Sequence, residues 1–96
     1  MRLIIGSQLP SVGLSANSYV TAKRLIRENP VSILQIVQPL PSRESLLSFL
    51  SWCNGRHCLP VRIVLNQVSS MDRHSAMQYL LARGYRTMDR VTFLKI

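Results

Sequence analysis

The stretch "ILQIVQPLP", residues 33–41, decides how the chain is read. Its first half is rich in isoleucine and valine and shows no helical period, which fits a buried strand. Its second half carries Pro39 and Pro41 and no charge, and reads as an exit into a loop. A strand is therefore expected over residues 32–37.

Working outward, Asn29-Pro30 stops the segment before it, because proline cannot continue a helix and biases its neighbour away from one. Upstream, Ser18 suits an N-cap, with Tyr19, Ala22, Leu25 and Ile26 on one helical face and Lys23, Arg24, Arg27 and Glu28 on the other. "RLII" reads as a first strand over residues 2–5, and a short second strand is placed around residues 12–15. Downstream, Ser42 opens a helix with Glu44 in its first turn and an apolar stripe of Leu46, Phe49, Leu50 and Cys53. Asn54-Gly55 ends it. Residues 61–65 form a clear strand. "SSMDRHSAMQYLLARGY" is the best helix signal: Ser70 as cap, Asp72 in the first turn, Met77, Leu80 and Leu81 on one face, Arg83 and Gly84 at the close. "RVTFLKI" is a last strand.

Alternation of strands and helices predicts an α/β fold: one domain over residues 1–96, a small three-layer open sheet, mostly parallel and covered on both sides. Ligands of such sheets bind beyond the C-terminal strand ends, here residues 6–10, 38–41 and 66–70. The 96 residues, 47% of them hydrophobic, suffice for one core. No apolar run approaches the roughly 18 residues that span a bilayer, and the N-terminal apolar run is too short for a signal peptide. A cytoplasmic protein without membrane or cofactor is expected.

The segments "MRLIIGSQLPSVG", "AKRLIREN", "ILQIVQPLP" and "LPVRIVLNQVSSMDRHSAMQYLLARGY" together resemble stand-alone phage and bacterial receiver domains of the cyclic-phosphate-processing type, a compact branch of the response-regulator fold. The resemblance spans nearly the whole chain in layout and apolar pattern, and implies a flavodoxin/receiver-like sheet. Those domains look like a first strand ending in paired aspartates and Glu-Arg-Pro; Gly6, Ser7, Gln8 and Leu9 stand there, and Pro10 is kept. Their Asp-His-Asp-Leu is replaced by Val37, Gln38 and Pro39, with Leu40 kept. Asn66 stands nearest to their small hydroxyl residue. Holding Mg²⁺ and accepting a phosphoryl group require clustered carboxylates. The resemblance thus implies a receiver-shaped scaffold without receiver chemistry.

Other chemistry is thinly supported. Cys53, His57 and Cys58 in "CNGRHC" lack a recognised four-ligand spacing, with His74 the remaining candidate ligand. A Cys53–Cys58 disulfide is geometrically possible; core packing of both is the simpler reading. A Cys-His nucleophile has no visible orienting acid, and no glycine-rich phosphate loop is present.

Twelve Lys and Arg against four acids give a net charge of +8, which attracts polyanions and acidic surfaces. Lys23, Arg24 and Arg27 share a helix face. Arg73 and His74 lie in a first helical turn at the ligand edge, and Arg83, Arg86 and Arg90 gather near the C-terminus. Trp52, off its helix stripe, could anchor a protein interface with Leu47 and Val20. A solvated surface is the plain alternative for each. The expected function is a non-catalytic binding module. The source is expected to be a phage or mobile element, and the target an acidic surface of a host protein that the module inhibits or modulates, with an anti-defence or transcription-modifying role open. Nucleic-acid binding through the basic clusters is the alternative, and a homodimer is possible.

Overall fold

The computed structural model describes residues 2–6, 14–36, 46–66 and 68–96. Along the chain run β1 (Arg2–Ile5), β2 (Leu14–Ala16), α1 (Tyr19–Glu28), β3 (Ile33–Ile36), α2 (Leu46–Gly55), β4 (Arg62–Leu65), α3 (Ser70–Leu81), β5 (Tyr85–Thr87) and β6 (Thr92–Lys95). They form one mixed sheet in the order β2-β1-β3-β4-β6-β5. The β2-β1-β3-β4 part is parallel, and β6 runs antiparallel to both β4 and β5. The small, open, mostly parallel α/β sheet anticipated from the alternation is what the chain builds.

The C-terminal end departs from the single strand expected over residues 90–96. Asp89 turns the chain back on itself: its Oδ1 accepts from the amides of Val91 at 2.9 Å and Thr92 at 2.7 Å. The Thr87 hydroxyl accepts from the Arg90 amide at 2.9 Å, with Arg90 in the left-handed region at φ 63. Side-chain oxygens that bond nearby amides are what drive such turns.

Register sorts the strand residues onto two faces. Leu3, Leu34, Ile63 and Phe93 lie in one row, with Ile5, Ile36 and Leu65 in the next. All seven are buried in one cluster with Tyr19, Ala22 and Ile26 of α1, Leu46, Phe49, Leu50 and Cys53 of α2, and Ala76 and Leu80 of α3. Tyr19 and Phe49 stack at 4.9 Å between ring centroids, joining α1 to α2. All three helices therefore cover the same face. Right-handed crossovers require this, because α1, α2 and α3 each carry the chain in the same direction across the sheet. Helices were expected on both faces. The crossover that runs in the opposite direction, from β1 to β2, contains residues 7–13, which lie outside the described residues.

Local chemistry sets the helix ends. The Ser18 hydroxyl accepts from the Thr21 amide at 3.2 Å and caps α1. α3 is capped by Ser69 rather than Ser70, since the Asp72 amide, at 3.2 Å, lies three residues beyond Ser69. Its buried stripe is Ala76 and Leu80, whereas Leu81 is exposed. The expected second strand at residues 12–15 is Leu14–Ala16 and the third is Ile33–Ile36. Among the described residues, no helix is long and apolar enough to cross a membrane.

Candidate interaction surface

The outer surface of the helical layer brings aromatic and cationic side chains together. α2 turns Leu46, Phe49, Leu50 and Cys53 toward the sheet, which leaves Leu47, Ser48 and Ser51 on the outside and Trp52 at the boundary. Trp52 is half-buried and packs against the core rather than standing free. The Lys23 ammonium of α1 lies 5.4 Å from its ring centroid and the Arg56 guanidinium 5.0 Å. On α3 the Arg83 guanidinium sits 3.6 Å from the Tyr79 ring centroid and donates from Nη1 to the Tyr79 carbonyl at 3.3 Å. Both arginines follow their aromatic by four residues, the spacing that places side chains one above another on a helix.

Between these pairs lies a shallow depression of about 520 Å³ lined by Lys23, Leu47, Ser48, Ser51, Trp52 and Tyr79. Leu47, one of its lining residues, is 38% exposed and Val20, on α1, is 76% exposed. The surface can offer apolar contact, hydroxyls and guanidinium N–H groups to one partner.

Of the residues singled out from the sequence, Lys23, Trp52 and Arg83 meet on this surface. Arg24 and Arg27 are exposed elsewhere on α1. Arg73 and His74 are in the first turns of α3, where His74 Nε2 lies 3.1 Å from Gln78 Nε2. The C-terminal arginines do not form a cluster. Arg83 belongs to the helical layer, Arg86 pairs with Leu94 in the sheet, and Arg90 occupies the β5–β6 turn.

Sequence reading missed Arg56 and Tyr79, although the i, i+4 spacing of Trp52 with Arg56 and Tyr79 with Arg83 was there to be read. It also missed Arg2 and Arg62, whose shared face depends on strand register.

The ligand edge suggested by the fold class is described only in part. Gly6 sits there at φ 87, its amide donating to the Ala16 carbonyl at 2.9 Å. Asn66 donates its amide to the Ile36 carbonyl at 2.9 Å, and its side-chain oxygen accepts from Gln35 Nε2 at 3.1 Å. The positions of Ser7, Gln8, Leu9, Pro10, Val37, Gln38, Pro39 and Leu40, and the Ser42 cap with Glu44, lie outside the described residues.

Cys53 and Cys58 are not joined in a disulfide. Cys53 is in the core, and Cys58 Sγ donates to the Cys53 carbonyl at 3.4 Å. Among the described residues no group of three His, Cys, Asp or Glu converges as a metal site. The described acids are scattered: Glu28 ends α1, Asp72 begins α3 and Asp89 closes the last hairpin.

Comparison with known proteins finds no matching family model, no matching curated protein and no matching solved structure.

Proposed function

We propose that this chain is a non-catalytic binding module, a receiver-like scaffold stripped of its acids, that docks its helical layer on an acidic surface of a host protein. The observation that carries this reading is the pairing of Trp52 with Lys23 and Arg56 beside Arg83 stacked on Tyr79, around a depression with an exposed Leu47. Tryptophan, tyrosine and arginine are the side chains that dominate binding hot spots. A stacked guanidinium is held rigid, so less freedom is lost when it grips a carboxylate. The net charge of +8 speeds encounter with an acidic partner. The parallel order β2-β1-β3-β4 supports the scaffold part of the reading, since the flavodoxin-like order begins the same way. A phage or mobile-element origin and an inhibitory role are motivated by the short chain, the net charge of +8 and the expected ligand edge without acids.

The test is capture from nuclease-treated host extract by the native chain and, in parallel, by a Lys23→Glu, Arg56→Glu, Arg83→Glu variant whose thermal melt matches it. A protein retained by the native chain and lost from the variant is the expected result. Identical captured sets would sink the proposal.

A further inference from the structure

The face of the sheet turned away from the helices carries a second array. Register places Arg2 of β1 beside Ile33 of β3, Ile33 beside Arg62 of β4, Arg62 beside Leu94 of β6, and Leu94 beside Arg86 of β5. Across five strands this row reads Arg-Ile-Arg-Leu-Arg. All three arginines are exposed, and Leu94 is 40% exposed between two of them. The next row is Ser15, Ile4, Gln35, Val64 and Thr92; Ile4 in it is buried, so the accessible part of the face is the arginine row, and neither row contains an acid. Asp89 lies near the Arg86 end, where its Oδ1 is engaged by the Val91 and Thr92 amides.

Strands in a sheet lie about 4.8 Å apart. Arginines on every second strand are therefore about 10 Å apart, and the row is about 20 Å long. Such a line of like charges complements a repeating polyanion. A duplex advances about 3.4 Å per base pair, so the row spans roughly six base-pair steps. The residues between the arginines are aliphatic, which offers no platform for stacking unpaired bases. A second copy of this chain is disfavoured on this face, since it would set six arginines against one another.

We propose that this exposed arginine row binds the backbone phosphates of a nucleic-acid duplex without reading its sequence, at a site separate from the helical surface. Three phosphate contacts would give a slope of log K against log salt of about −2.7 on B-DNA. Each arginine removed would reduce that slope by about 0.9.

The experiment is fluorescence anisotropy of short mixed-sequence DNA and RNA duplexes with the full chain, between about 50 and 200 mM salt. Arg2→Gln, Arg62→Gln and Arg86→Gln are expected to lower the slope stepwise, and their combination to abolish salt-dependent binding. The Lys23→Glu, Arg56→Glu, Arg83→Glu variant supplies the contrast. If it alone abolishes duplex binding, the arginine-row assignment is overturned and the helical surface becomes the nucleic-acid site. Amide shift changes in the native chain, expected on β1, β4, β5 and β6, report the site without any substitution. Absence of binding to both duplexes, shift changes confined to α1–α3, or equal competition by polyglutamate at matched charge would each overturn the proposal.

Discussion

The Cys58 amide donates to the Cys53 carbonyl at 2.9 Å, and the residue before it, His57, is held in the left-handed region at φ 56. The His57 amide donates to the Asn54 carbonyl at 3.1 Å, so the two bonds together make the glycine-favouring helix ending. Glycine is two positions too early for it: Gly55 lies inside α2, and a Cβ there would meet nothing within 4 Å. His57→Gly is therefore expected to raise stability by about 1 kcal/mol, and Gly55→Ala by roughly 0.5–1 kcal/mol. Thermal melts check both. A lower melting temperature for His57→Gly would mean that the imidazole makes a compensating contact.

Gly84 behaves in the opposite sense. It sits at φ 90 after α3, its amide donating to the Leu81 carbonyl at 3.2 Å and its carbonyl accepting from the Ile96 amide at 3.3 Å. Space for a methyl group is open, so the cost of Gly84→Ala is conformational, about 1–2 kcal/mol. Denaturant unfolding would show it as a lower midpoint at unchanged slope.

Tyr85 is buried and its hydroxyl donates to the Pro60 carbonyl. Tyr85→Phe leaves that carbonyl without its donor and is expected to cost roughly 1–3 kcal/mol. Burial, with a smaller electrostatic contribution from neighbouring Cys53, pushes the phenol up to about 12. The folded value lies above the unfolded one, so this contribution is complete below about 10 and is lost as pH rises through about 12. Alkaline ultraviolet titration should show one tyrosine ionising late, and Tyr85→Phe should remove it.

Asp89 sets the acid side. The Thr92 and Val91 amides hold its carboxyl below the usual aspartate range. Its contribution is present above the ordinary carboxylate pKa and is lost as pH falls through the lowered value. Asp89→Ala is expected to lower stability at neutral pH and to flatten the acid limb of the stability profile. An acid limb unchanged by the substitution would show that the hairpin does not depend on this carboxylate.

Much of the fold was legible. Pro30 marked the end of α1, Ser18 its start, and the 46, 49, 50, 53 spacing gave the buried stripe of α2. The β5–β6 hairpin was not, because "YRT" is too short to show a period and its turn depends on Asp89 reaching amides ahead of it. The candidate surface was half legible. Trp52 and Lys23 stood out as residue types, while their meeting requires α1 and α2 to lie side by side. Arg2 and Arg62 look like strand flanks in the sequence. Only pairing register shows that they share a row with Arg86. The same register separates Arg86 from Arg83, although three residues apart they looked like one basic group.

The place of β6 has a bearing on synthesis. β6 follows β5 in the chain yet lies between β4 and β5 in the sheet. A nascent chain that has emerged only as far as Thr87 can assemble β2-β1-β3-β4, but its β5 has no neighbour to join and the flank of β4 stays open. Translation must deliver Thr92–Lys95 before either can be paired. A chain that stops short of Thr92 would therefore leave β4 exposed to pairing with another chain.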